Sequence, residues 1–301
     1  MSSANYSRYK NPQQATEFND MWARHVQDSN GLIFESVTVL TTWGKTVVWV
    51  HTPKRRVYET LVFFPGFNSS ALTWAINRSL AGLSKNYRLC LIEINGQPGF
   101  SDGLSPSINT DEYGIWAQQV LEQLGVARVT LIAHSLGALI SLKVCRMAPQ
   151  LIKRAILINP AGIQSLTLSF HLLRYYWLAY HAPSHESVQS FLREVVFSPT
   201  YTDIPSAQEK LLIDFQINAF SNFQLTSWWH LALPKEELLA IKTPLYMLLG
   251  AQDKLYSYQA TLERSIQYLP SLVSITVLPT LGHGVQTCPS VPPALKALLT
   301  H

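Results

Sequence analysis

The stretch VTLIAHSLGALISLKV, residues 129–144, decides the fold. Its opening run, Val129 to Ala133, is apolar or β-branched and reads as a buried strand. From Leu136 onward the apolar residues take helical spacing. One hydroxyl, Ser135, stands at the junction. A tight strand-to-helix turn crowds the residues two before and two after its centre. Ala133 and Gly137 occupy those places and are small. Such a turn lifts the central side chain above the sheet, beside a helix N-terminus whose N–H groups stabilise negative charge. Read alone, the same serine also fits a helix N-cap.

Outward from this stretch, short apolar runs alternate with amphipathic segments. The runs are TLVFFPG (60–66), YRLCLIEI (87–94), VTLIAHS (129–135), RAILINP (154–160), PLYMLLG (244–250) and SITVLP (274–279). Continuous apolar runs suit strands covered on both faces, and helices between them predict a mostly parallel α/β sheet. Ahead of them, residues 34–52 read as a β-hairpin broken at Gly44-Lys45. An amphipathic helix precedes it, carrying Phe18, Met21, Trp22 and Val26.

The alternation stops once. Residues 162–235 contain no clear buried strand and carry helical signals in SFHLLRYYWLAYH, SVQSFLREVVF and AQEKLLIDFQINAF. That is too much chain for a simple crossover. The reading is a core of residues 1–161 and 236–301 with a helical cap inserted at 162–235. Its aromatics are Phe170, Tyr175, Tyr176, Trp177, Trp228 and Trp229. Those left unburied by the helices are expected to face a crevice above Ser135.

Composition bounds the function. The chain has 301 residues, 47% of them hydrophobic, and a net charge of +4. The one basic cluster, Lys54, Arg55 and Arg56, is too short for a nucleic-acid stripe and reads as a solvated turn. Cys90 and Cys145 read as small core residues. Three cysteines without paired spacing, Cys288 included, give neither a disulfide framework nor a zinc site. His181 and His185 are four apart, but Pro183 between them opposes a helical metal pair. No metal or cofactor is expected. The polar N-terminal segment has no apolar core of a signal peptide, and no run approaches membrane-spanning length. The expectation is a cytoplasmic protein without stable membrane insertion. Oligomeric state stays open.

A serine hydroxyl needs a base within hydrogen-bond reach, and the base needs an acid to orient it. PLYMLLGAQDKLY places Asp253 just past one strand, and SITVLPTLGHGVQ places His283 between glycines past the last. Asp253 also fits a cap on the following helix. The small-His-Ser-Leu-Gly turn resembles the nucleophile elbow of the α/β-hydrolase superfamily, with Ala133 in place of the first glycine. The order Ser135, Asp253, His283 is similar to that family's triad. The resemblance covers roughly residues 35 to 300. IEINGQPGFSDG is similar to the family's loop after the fourth strand. Pro65-Gly66-Phe67 resembles its His-Gly-x oxyanion loop, which implies oxyanion donors at the N–H groups of Phe67 and Leu136. Ser69, Ser70 and Trp74, with NPAG at 159–162, resemble a bacterial carboxylesterase branch.

The resemblance implies an α/β-hydrolase fold and hydrolysis of small or medium uncharged carboxylic esters by a Ser-His-Asp triad. His134, Trp74 and Trp177 are the expected pocket residues. Thioesters, lactones, C–C bonds and cofactor-free perhydrolysis suit the same triad, and a hydrolase-like ligand receptor is the alternative outside enzymes. Asn159 stands where some members of the superfamily carry their acid. An amide cannot stabilise an imidazolium as a carboxylate does, so Asp253 is preferred.

Overall fold

The protein is described by a computed structural model covering residues 8–54, 57–166, 169–199, 206–225, 232–285 and 288–300. Arg55, Arg56, Trp228 and Trp229 lie outside the described residues. Helix α1 (Pro12–Asn30) precedes the hairpin β1 (Glu35–Thr41) and β2 (Gly44–His51). Then come β3 (Thr60–Phe64), β4 (Arg88–Ile92), α2 (Glu112–Gln123), β5 (Val129–His134), α3 (Leu136–Met147) and β6 (Ile152–Ile158). Helices α4 (Phe170–His181), α5 (His185–Phe191), α6 (Ser206–Asn222) and α7 (Lys235–Leu239) follow. The described chain closes with β7 (Leu245–Gly250), α8 (Tyr258–Tyr268), β8 (Leu272–Leu278) and α9 (Val291–Leu299).

The described strands form one eight-stranded sheet in the order β1-β2-β4-β3-β5-β6-β7-β8. Strand β2 pairs antiparallel with β1 and β4, and the described pairings among the remaining strands are parallel. Alternate residues of a strand point to opposite faces, and here each face meets its own core. Val62, Phe64, Leu131 and Ala133 join the cluster built with Trp116 of α2 and Leu139 of α3. Leu61, Phe63, Ile132 and Ile156 join the cluster built with Trp22 of α1 and Leu295 of α9. Burial on both faces is why the strand sequences read as unbroken apolar runs. Strand β8 departs from that pattern. It is a sheet edge, and Val273 is 56% exposed.

One expected boundary and one expected helix face shift. The hairpin turns at Thr42-Trp43, and Gly44 already opens β2 at φ 101°. A Cβ on Gly44 would lie 2.5 Å from Asp102 Oδ2, the oxygen that accepts a hydrogen bond from the Lys45 N–H. In α1 the buried stripe runs through Ala15, Asn19, Trp22, Ala23 and Val26, while Met21 faces outward at 46% exposure. The break at Pro183 separates α4 from α5. Among the described residues, no helix is long and apolar enough to cross a membrane.

Helix α6 does not hang free of the core. The Trp22 indole N–H donates to Leu211 O at 2.8 Å, and its ring packs on Phe215. Lys10 N donates to Asn222 O at 2.8 Å. The far end of α6 is thus stitched to the segment leading into α1.

Below the loop after β3 sits a buried carboxylate. Glu93, 1% exposed, accepts from Ser70 Oγ at 2.6 Å, Trp49 Nε1 at 2.9 Å and Ala71 N at 3.1 Å. It ties β2 and β4 to the start of the 3-10 turn Ala71–Arg78. Burial pushes its carboxyl up to about 7 from an ordinary 4.5, against the pull of the three donors toward the ionised form. An acid whose folded-state pKa lies above the unfolded one lowers stability as pH rises between the two values. Unfolding free energy should therefore carry a falling contribution between about pH 4.5 and about pH 7, constant above that window. Glu93→Gln, which cannot titrate, should remove this contribution whatever it does to stability overall. Urea unfolding of both proteins from pH 4 to 8 checks it; an unchanged pH dependence in the variant would contradict it.

Candidate active site

Strand β5 ends at His134, and the backbone reverses at Ser135, whose φ is 50° and ψ −114°. Few non-glycine residues occupy positive φ, and such strain persists only where the surroundings impose it. Here the Ser135 N–H donates to Ile158 O at 3.2 Å, and Ser135 O accepts from Ala138, Leu139 and Ala161. Gly137 abuts β3: a Cβ on it would fall 2.5 Å from Phe64 O. Ala133 is fully buried and pairs with both Phe64 and Leu157. At Gly137 the absence of a side chain is a packing requirement.

Ser135 makes no side-chain cap to α3. Its Oγ lies 3.1 Å from His283 Nε2, and His283 Nδ1 lies 2.9 Å from Asp253 Oδ2. The carboxylate can only accept, so Nδ1 carries the proton and Nε2 is left to accept from the Ser135 hydroxyl. The other oxygen, Asp253 Oδ1, accepts from Leu255 N at 2.8 Å and Tyr256 N at 3.1 Å. Asp253 therefore shapes its own turn, while Ser257 caps α8. Side-chain exposure is 1% for Asp253 and 9% for His283, so the pair lies in a low-dielectric setting that strengthens it.

His134 Nε2 lies 2.8 Å from His283 O. A carbonyl accepts, so Nε2 donates and Nδ1 is bare. Burial, and then the neighbouring His283, hold this imidazole well below its ordinary pKa and keep it neutral. Asn159 joins it. Its Nδ2 donates to Gly282 O at 2.7 Å and His283 O at 3.0 Å, and its Oδ1 accepts from Gly250 N at 2.7 Å. The residue weighed as an alternative acid instead links the ends of β6 and β7 to the loop bearing His283. The glycines around His283 also have a cause. A Cβ on Gly282 would meet Ser198 N at 2.5 Å, and one on Gly284 would meet Val196 Cγ1 at 2.7 Å.

Above Ser135 lies a cavity of about 150 Å³. Gly66, Phe67, His134 and His283 line its base, and Leu172, Tyr176, Leu192, Leu212 and Phe220 its helical wall. Its described lining holds no Asp, Glu, Lys or Arg. The loop of Gly66 crosses close over the serine, since a Cβ on Gly66 would sit 2.8 Å from His134 Nδ1 and 3.5 Å from Ser135 Cβ. Leu136 supplies the first amide of α3, which has no acceptor within the helix.

Two expected pocket residues are elsewhere. Trp74 is 3% exposed and packs on Phe63 within the core on the α1 side. Its place on the 3-10 turn points it under the loop rather than over it. Trp177 lies on the outer face of α4, 57% exposed, against the His181 ring. Phe170 is 86% exposed. Of the described residues in this set the crevice takes Tyr176, and its wall mixes aliphatic side chains with Phe191, Phe197 and Phe220 from outside that set. The unburied aromatics of α4 face solvent because the inner face is occupied by Leu172, Tyr176 and Ala179.

Sequence reading missed Asn68, Gln216 and Tyr256 in the lining. Gln216 left a signal. It falls between Leu212 and Phe220 at four-residue spacing, a polar residue on an apolar helical face.

Residues 59–286 match the family model described as the alpha/beta hydrolase fold, and the chain belongs to that family. Among curated proteins it is similar to two from Bacillus subtilis (strain 168). One is named uncharacterized carboxylesterase nap, 24% identical over 254 residues, covering 83% of this chain and 80% of that one. The other is carboxylesterase YbfK, 23% identical over 251 residues, with 83% and 81% covered. Solved structures from the same organism share the fold. Carboxylesterase CesB (YbfK) superposes with a TM-score of 0.77 at 19% identity, covering 95% of this chain and 98% of that one. Naproxen esterase does so with 0.77 at 20% identity and the same coverage.

Removing the Asn159 side chain should loosen the His283 loop and leave the buried Gly250 N–H without its acceptor. Leaving a buried group unpaired costs roughly 1–3 kcal/mol, so Asn159→Ala should lose about 2–4 kcal/mol in all. Denaturant unfolding measures it, and a loss under about 0.5 kcal/mol would mean that these bonds contribute little.

Proposed function

We propose that this chain is a serine hydrolase that cleaves uncharged carboxylic esters of small or medium size through an acyl-enzyme. The observation that carries the reading is the hydrogen-bonded series Ser135 Oγ, His283 Nε2, His283 Nδ1, Asp253 Oδ2, with separations of 3.1 and 2.9 Å at its two polar contacts. Family membership and the two relatives named carboxylesterases support it.

In this reading Ser135 Oγ attacks the acyl carbon while His283 Nε2 takes its proton. The carbonyl π electrons move onto oxygen, and the resulting oxyanion is held by the N–H groups of Phe67 and Leu136. Collapse of the intermediate expels the alcohol, which receives the proton from His283. Water then attacks the acyl-enzyme by the same path and releases the acid. Asp253 keeps the imidazole in the working tautomer and stabilises its charged form. Residues 1–161 and 236–301 serve as the catalytic core and 162–235 as a cap. The lining, without Asp, Glu, Lys or Arg and built largely of aliphatic and aromatic side chains, favours apolar acyl groups.

Ser135→Ala should lower turnover of p-nitrophenyl butyrate by on the order of four to six orders of magnitude, with the fold intact by circular dichroism. Intact-mass analysis after an organophosphonate probe should show one adduct in the wild type and none in the variant. Near wild-type turnover in Ser135→Ala would end the assignment. Asp253→Asn should cost up to about four orders of magnitude; a fully active variant would move the acid elsewhere. Across p-nitrophenyl esters of graded length, thioesters and lactones, short and medium esters should be the best substrates. A clear preference for long-chain emulsions or for thioesters would redirect the substrate class.

A further inference from the structure

The loop proposed to supply the oxyanion donor of Phe67 is gripped from the helical side. Asn68 follows Phe67 at φ 54°, in the left-handed region, and is 5% exposed. Its backbone N–H donates to Gln97 Oε1 at 2.8 Å. Its backbone O accepts from Gln216 Nε2 at 2.9 Å, and its side-chain Nδ2 donates to Gln216 Oε1 at 2.8 Å. A backbone carbonyl only accepts, so the Gln216 nitrogen must face it. That fixes Gln216 Oε1 toward Asn68 Nδ2, and both amide orientations follow from chemistry alone. Asn68 Oδ1 is then left buried without a partner. The loop tolerates that orphan to keep the Gln216 contact.

Gln216 is itself held firmly. Its neighbour Phe215 packs on Trp22, whose indole N–H bonds Leu211 O on the same helix. One turn before and after it, Leu212 and Phe220 line the cavity. Gln216 shares that wall, yet its carboxamide is engaged by Asn68 rather than directed to a ligand. The two peptide planes flanking Asn68 are thus pinned, by Gln97 on one side and Gln216 on the other. Phe67 N–H lies one plane upstream.

We propose that Gln216 is a positioning residue that holds the Phe67-Asn68 segment in its working geometry, so that helix α6 sets the rate of acyl transfer and not only which substrates enter. This rests on the serine-hydrolase reading. A residue acting this way moves kcat and leaves KM nearly unchanged, because donors aimed at a developing oxyanion act in the transition state.

The experiment compares wild type, Gln216→Leu and Gln216→Glu on p-nitrophenyl butyrate from pH 5 to 9, with melting temperatures measured alongside. Gln216→Leu should lose at least about tenfold in kcat, with KM within about threefold of wild type, since removing a single oxyanion donor outright costs about a hundredfold or more. Gln216→Glu adds a readout that simple packing does not move. Its protonated carboxyl can donate to Asn68 O and accept from Asn68 Nδ2 as the amide does. Its ionised form presents a second acceptor to Asn68 O. The ratio of variant to wild-type kcat should therefore start high at acid pH and fall as that carboxyl ionises, whereas the Gln216→Leu ratio should stay flat. A raised KM with unchanged kcat in Gln216→Leu would make Gln216 a substrate contact and overturn the proposal. So would a Gln216→Glu kcat equal to that of wild type across the whole pH range, which decides the matter if Gln216→Leu fails to fold. A wild type that neither turns over esters nor takes the phosphonate label would instead overturn the serine-hydrolase reading.

Discussion

The turn at Ser135 is the constraint on which the rest of the site depends. A serine at φ 50° between a buried strand and a buried helix has little freedom. It can be held there only if β3 approaches closely on one side and β6 on the other. Phe64 presses on the position of Gly137, and the Ile158 carbonyl takes the serine N–H. The same approach brings the Gly66 loop over the hydroxyl. Elements that meet at one point for packing reasons thereby place an alcohol, an imidazole and a helix N-terminus together. The order of strands in a parallel sheet makes such meetings at its carboxyl edge.

Around that point the polar groups form a support as well as the proposed reaction path. His283 reaches Ser135 and Asp253 with its ring, while its backbone oxygen is held by His134 and Asn159. Two donors on one carbonyl fix the loop on which the imidazole rides. The neutral state of His134 matters here. A charged neighbour with its ring centroid 4.8 Å from that of His283 would oppose formation of the imidazolium that the proposed mechanism requires. Burial keeps His134 uncharged, so it supports His283 without disfavouring that step.

The framework was legible because its signals are local. Unbroken apolar runs and the small residue at Gly137 follow from backbone sterics and sheet burial, while Asp253 and His283 just past strand ends are singled out by the family resemblance. What stayed hidden depends on which side of a helix meets which partner. Aromatic residues in α4 looked like crevice material, but Leu172, Tyr176 and Ala179 take its inner face and leave Phe170 and Trp177 in solvent. Trp74 is close in sequence to the Gly66-Phe67 loop, yet its 3-10 turn places it in the core. Asn159 was weighed as an acid because of its strand end, yet its use is to bind carbonyls. Only Gln216 carried a periodicity clue, and its partner lies 148 residues away.

These placements alter the expected division of labour. A cap that merely screened substrates would need nothing but an apolar wall, and most of the described wall is that. Helix α6, however, is tied to α1 through Trp22 and to the Phe67-Asn68 loop through Gln216. Helix, loop and core are joined by partly buried hydrogen bonds whose geometry each partner restricts. A substrate that presses on Leu212 or Phe220 therefore presses on a helix that also holds the loop beside the serine. If Gln216 positions the loop as proposed, size selection and transition-state geometry are coupled through one carboxamide. Substrate fit would then bear on turnover through the same helix that lines the cavity.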